Sequence, residues 1–270
     1  MSIYGISLGD TFLGEFPTIN FVARYNGRHI ASRAKLVVDV EGYDNIRCKT
    51  FSFKVPSGDY VVFSKDNVGD RFEAPYVDNR PVPGESDQNL YTTSTLHIEP
   101  DGTVFFTAIF KKGSLTPLSD TDFYVFRNVK PADQNSYGLS LFSETGELTY
   151  TSSGIPMFIL GTATIARPEY TDPGPPMSGD FWFVNTGMTD IAIINTAPWT
   201  YDDYYGSGGK IWLYRFGLSV NDAGFIKIRP QTSSIGLTGG FIPDYWDQQE
   251  EKTTPYIDIS KLKLIQYTTM

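Results

Sequence analysis

Apolar and polar residues alternate with a period of two along much of this chain. "INFVARY" (19–25), "KTFSFKV" (49–55), "DYVVFS" (59–64), "TSTLHIE" (93–99), "TVFFTAIF" (103–110), "IWLYRFGLSV" (211–220) and "FIKIRP" (225–230) all read as strands. Turn formers separate them. Asn26-Gly27 follows the first run, and Pro56-Ser57-Gly58 splits the second from the third. Pro100-Asp101-Gly102 splits the fourth from the fifth, and Asn221-Asp222-Ala223-Gly224 the last two. Such residues accept positive φ or pre-set a turn, so the pattern predicts antiparallel hairpins and an all-β fold. Only "PDYWDQQEEK" (243–252) has helical character, and it reads as one or two turns or an acidic loop.

One hairpin pattern occurs twice. "SIYGISLGDTFLGEF" (2–16) and "NSYGLSLFSETGELTYTSSG" (135–154) share Tyr-Gly, then Ile or Leu, then Ser-Leu, and later Gly-Glu before an apolar residue. In the second copy Tyr137, Leu139 and Leu141 share one face, Ser143-Glu144-Thr145-Gly146 can form a type I turn with Gly146 left-handed, and Leu148 and Tyr150 resume the alternation. The spacing predicts two related, tandem, antiparallel β-sandwich-like domains, 1–132 and 133–270, each of ordinary sandwich size. "VKPADQNS" (129–136) reads as the linker. The segments 73–89 and 167–180 read as long Pro/Gly-rich loops, a kind that is often functional.

Composition narrows the classes. The 270 residues carry a net charge of −9, which argues against binding nucleic acid through phosphates or docking on an anionic membrane. No apolar run approaches the length of a membrane span, and no basic region precedes an apolar stretch at the N-terminus, so no membrane insertion and no secretory leader are expected. Cys48 is the single cysteine and reads as a small buried or half-buried apolar residue.

Catalytic machinery is not legible. His29 and His97 are the only histidines; His97 lies in a strand-like run on the face opposite Leu96 and Ile98, and no Gly-x-Ser-x-Gly elbow occurs. Zinc-ligand spacings and a phosphate loop are missing, and "GSGGK" (206–210) lacks the required spacing. Asp66, Asp70 and Glu73 read as a solvated acidic loop before they read as a calcium site. The chain is therefore expected to be no enzyme, with no cofactor and no metal. A hydrolase using paired carboxylates such as Asp202 and Asp203 is the weakest rival.

Aromatics set the candidate binding residues. In "APWTYDDYYGSGGKIWLY" (197–214), Trp199, Tyr201, Tyr204 and Tyr205 crowd one loop around Asp202 and Asp203; Tyr245 and Trp246 form a second pair. Trp and Tyr offer large contact area with a polar tip, which suits recognition of protein or of sugar rings. The plain alternative is packing at a sandwich edge.

The segment carrying Tyr137, Gly138, Leu139, Leu141, Phe142, Gly146, Leu148, Tyr150 and Ser152 resembles a motif of tail-tip and tail-fibre-associated virion proteins of long-tailed bacteriophages, of the siphophage minor tail protein type. The N-terminal copy (Tyr4, Gly5, Ile6, Leu8) fits less well, and "SDTDFYVFRN" (119–128) resembles a closing strand of such a module. The resemblance implies a non-enzymatic structural part of a tail, located in the virion and assembled in the bacterial cytoplasm. Implied partners are other tail proteins and a host-surface protein or glycan, with oligomers inside a symmetric assembly. The alternative is a carbohydrate-binding module using the same aromatics.

Overall fold

The computed structural model describes residues 6–8, 11–13, 18–41, 46–67, 94–130, 133, 138–166, 183–194, 199–205, 210–220, 222–237, 245–246 and 251–270. In chain order the elements begin with β1 (Ile6–Leu8), β2 (Thr11–Leu13), β3 (Ile19–Asn26), α1 (Gly27–Arg33), β4 (Lys35–Glu41), β5 (Ile46–Lys54) and β6 (Tyr60–Asp66). They continue with β7 (Thr95–Ile98), β8 (Thr103–Lys111), β9 (Thr121–Asn128), β10 (Ser140–Phe142), β11 (Leu148–Thr151), β12 (Ile159–Ala166) and β13 (Phe183–Asn185). Last come β14 (Ile191–Ile194), β15 (Trp199–Tyr205), β16 (Lys210–Val220), β17 (Phe225–Leu237), β18 (Tyr245–Trp246) and β19 (Glu251–Asp258), then a short 3-10 turn, Leu262–Leu264. The fold is all-β, and every strand pairing among the described residues is antiparallel.

A six-stranded sheet of order β12-β19-β14-β6-β9-β3 forms the centre. Its strand β9 is buried from Thr121 to Phe126 without alternation, because both faces of the sheet are covered. Phe123 and Val125 enter one core with Ala23, Tyr25, Phe51, Phe106 and Phe110, against the four-stranded sheet β4-β5-β8-β7. This gives the sandwich, and α1 closes one end of it through the fully buried Ile30. Tyr124 and Phe126 alternate to the opposite face, where they pack with Phe63, Ala192, Ile257, Ile259 and Leu262. Edge-to-face rings stitch both layers, Phe106 to Phe123 at 6.0 Å and Phe63 to Phe126 at 5.7 Å.

The central sheet takes β3, β6 and β9 from before residue 132 and β12, β14 and β19 from after it. Phe63 and Ser64 pair directly with Ile194 and Ile193. The boundary read at 132/133 thus runs through one continuous sheet. A repeated hairpin reports local turn chemistry, whereas strand neighbours are chosen by which faces can be buried together.

The turns divide into two groups. Pro100-Asp101-Gly102 joins β7 to β8 and the 222–224 turn joins β16 to β17, both as hairpins. Gly102 has φ +83°, and a Cβ there would collide with the Val55 carbonyl oxygen. The hairpin read from Tyr137 onward also forms: β10 pairs with β11, Gly146 sits at φ +81°, and its N–H donates to Ser143 O at 2.9 Å. β1 and β2 form its N-terminal counterpart.

Two turn expectations are corrected. Asn26-Gly27 does not reverse the chain into a hairpin; it starts α1, and the Asn26 side chain accepts from Arg28 N at 3.0 Å as the N-cap. Ser57-Gly58 carries the chain from β5 in the four-stranded sheet to β6 in the central one, since the two strands do not pair. The helical reading of 243–252 is corrected too. Tyr245–Trp246 is a strand, and Glu251 and Lys252 open β19, where partners β12 and β14 supply hydrogen bonds that a short isolated helix lacks.

Candidate functional site

The segment 199–205, read from sequence as a loop, is strand β15 inside the five-stranded sheet β13-β17-β16-β15-β18. Its own alternation, β-favouring Trp, Thr and Tyr, and long β16 alongside explain the outcome. The register sets Tyr201 opposite Trp246 and Asp202 opposite Tyr245, so the two aromatic segments are neighbouring strands.

Their positions divide between two faces of the sheet. Alternation sets positions Trp199, Tyr201, Asp203 and Tyr205 on one face, with Trp246, and Asp202 and Tyr204 on the other, with Tyr245. Asp202 and Asp203, adjacent in sequence, hold positions on opposite faces of β15. Sequence reading missed further members of the first face. Trp212 stands opposite Asp203, Tyr214 opposite Tyr201, and Phe216 opposite Trp199. Aromatic positions from β16, β15 and β18 therefore share one face. The alternation of "IWLYRF" was a visible signal, but its register against Trp199 and Tyr201 was not. Further along β16 the same face buries Leu218 and Val220, where the strand runs beside β6 and β14.

A second constellation had no signal in the sequence. A cleft of about 450 Å³ is lined by Arg24, His29 and Arg33 together with the C-terminal segment 264–270. At its wall Arg24 Nη2 reaches Asp122 Oδ2 at 2.6 Å, and Tyr267 OH donates to Asp122 Oδ1 at 3.0 Å. Asn26 Nδ2 donates to the same Oδ1 at 2.8 Å and to Asp120 Oδ1 at 2.7 Å. Arg24 Nη1 donates to the Ile265 and Lys263 carbonyls, and its guanidinium lies 4.3 Å from the centre of the Tyr267 ring. His29, exposed on α1, meets that ring edge-on at 5.1 Å.

Charge and burial agree on what this network does. Burial opposes the Arg24 charge, but the hydrogen bond and charge of Asp122 outweigh it and hold its pKa above the ordinary value. Burial first, and then the Asp122 charge, push the Tyr267 phenol up to about 12. Both oxygens of Asp122 are occupied by donors, so the carboxylate is a fixed acceptor that holds the chain end in place. Thr268 completes the latch: its N–H donates to Arg24 O at 2.7 Å, on the outer side of β3.

The remaining candidates are quickly placed. His97 is exposed on the side opposite the buried Ile98 and bonds Glu99 at 2.8 Å. Asp66 is buried and accepts from Thr121 at 2.6 Å, while Asp70 and Glu73 lie outside the described residues. Cys48 is half-buried on β5. Among the described residues no group of three His, Cys, Asp or Glu side chains could hold a metal ion, and no helix is long and apolar enough to cross a membrane. In comparisons with known proteins, no family model, no curated protein and no solved structure matches this chain.

Proposed function

We propose that this chain is a non-enzymatic structural component of a bacteriophage tail, at the tip or in a fibre, acting in assembly and in attachment to the host surface. One observation carries the reading: the segment resembling the tail-protein motif is a hairpin with Gly146 left-handed at the position where that motif has glycine. Supporting it is the character of the polar network, which ties the chain end to the sheet through donors on both oxygens of Asp122. The partners of this reading are other tail proteins and a host-surface protein or glycan; the place is the virion tail, built in the bacterial cytoplasm. The test is immunogold labelling of particles made by the genome that encodes the chain. Label confined to the tail end supports the reading, and particles without label, or labelled on the capsid, overturn it.

A second reading, a carbohydrate-binding module, is favoured by the aromatic face of β16, β15 and β18. Sugar rings stack on aromatic planes arranged along a sheet. A glycan array decides it: specific binding that is lost in Trp199→Ala and Trp246→Ala, and kept in Tyr204→Ala on the other face, supports a sugar site.

A further inference from the structure

We propose that the cleft between α1 and the chain end binds a small carboxylate ligand, an anionic head on an apolar, ring-sized body, with Arg33 and His29 holding the head. The proposal does not depend on the tail assignment.

The chain has a net charge of −9, yet this cleft of about 450 Å³ is lined by Arg24, His29 and Arg33 and by no Asp or Glu side chain. Its volume falls within the range of small-ligand sites, about 300–1,000 Å³. The basic side chains of β3 and α1 divide into two kinds. Arg24 is bound to Asp122 at 2.6 Å and Arg28 faces Asp120 at 3.4 Å, so both charges are met within the fold. Among the described residues, the side chains of His29 and Arg33 have no hydrogen-bond or ion-pair partner; His29 touches only the edge of the Tyr267 ring. The two stand four positions apart on α1, which sets them on one side of the helix, and both line the cleft. Met270 lines it too, and no ion pair among the described residues joins it to either of them.

These groups set the ligand class. The Arg33 guanidinium is a planar fork of N–H donors whose spacing matches the two oxygens of a carboxylate, and the His29 ring adds one more donor. Arg33 is the one permanent positive charge in the lining that is not already paired, and a single cation matches a carboxylate better than a doubly charged phosphate. Apolar surface adjoins it. Leu264 is 79% exposed and Met270 40%, beside the half-buried Ile265 and Tyr267. Exposed apolar side chains gathered next to an unpaired cation favour a ligand with an apolar body over a bare ion.

Amide chemical-shift titration of the isotope-labelled full chain at low salt tests this. Benzoate is the probe, benzamide its neutral counterpart, and inorganic phosphate an anion without an apolar body. Benzoate should bind saturably, and the other two at least about tenfold more weakly. Arg33→Gln should weaken benzoate binding by roughly tenfold or more, since a charged hydrogen-bond partner is lost. Lys35→Gln removes the same charge from an exposed position outside the cleft and should leave binding unchanged. Should Arg33→Gln fail to fold, Leu264→Glu is the second variant. Its side chain is exposed, so the fold tolerates the change, and a negative charge at the cleft should abolish benzoate binding. No saturation by about 10 mM benzoate overturns the proposal. So does equal affinity for benzamide or phosphate, equal weakening by Lys35→Gln, or unchanged benzoate binding in a folded Arg33→Gln or Leu264→Glu variant.

Discussion

Arg24 and Asp122 form a 2.6 Å ion pair, although the direct register partner of Arg24 on β9 is Tyr124. The diagonal contact leaves room for Tyr267, 145 residues beyond Asp122, to donate to the same carboxylate. With side chains only 12% and 2% exposed, the pair is buried. Removing one partner leaves an uncompensated charge, so Arg24→Met should cost about 3–5 kcal/mol in urea unfolding. Tyr267→Phe removes a hydrogen-bond donor to a charged group and should cost roughly 1.5 kcal/mol. Equal, small effects of both would mean that Asp122 finds other partners.

The same phenol predicts an alkaline response. An unfolded tyrosine titrates near 10, and the folded Tyr267 at about 12. The neutral form is the one the fold favours, so its contribution is fully present below about pH 10 and is lost as pH rises through about 12. Stability measured from pH 9 to 12 should fall, and Tyr267→Phe should flatten the decline. A slope unchanged by the substitution would remove Tyr267 as its source.

Two glycines with the same backbone hand should respond differently to alanine. Gly146 (φ +81°) has open space within 4 Å of where a Cβ would sit, so Gly146→Ala carries only the left-handed cost, about 1–2 kcal/mol. At Gly102 (φ +83°) an added Cβ would run into Val55 O, and backbone must move. Gly102→Ala should therefore be clearly the more destabilising, in the thermal unfolding of the two variants side by side.

Phe63 tests whether the halves act together. It is fully buried on β6, pairs with Tyr124 and Ile194, and belongs to the core containing Ile257 and Leu262. Phe63→Ala should cost about 3–5 kcal/mol. Hydrogen exchange should show lost protection on β9, before residue 132, and on β14 and β19, after it. Loss confined to the first half would mean that the shared sheet does not couple them.

Much of the local structure was legible from sequence. The hairpins at 95–111, 140–151 and 210–237 follow from alternation ended by Asp-Gly, Thr-Gly and Ala-Gly turns, whose chemistry is complete within a few residues. The all-β class follows from the same pattern. What Asn26-Gly27 would do was not legible, because Asn-Gly serves a tight turn and a helix start equally; the buried seat of Ile30 decides for the helix. The aromatic positions were visible and their sheet was not: Trp199 and Trp246 are 47 residues apart, and only the register of β15 with β16 and β18 puts them on one face.

Short-range chemistry thus settles which segments are strands and where many of them turn, since period-two alternation and left-handed glycines act within a few residues. Three choices lie beyond its reach: β6 takes β14 as its neighbour, β9 is buried on both faces, and Tyr267 closes on Asp122. They depend on which apolar faces and which buried charges can be satisfied together. That is a property of the assembled chain, and no window along it contains both partners.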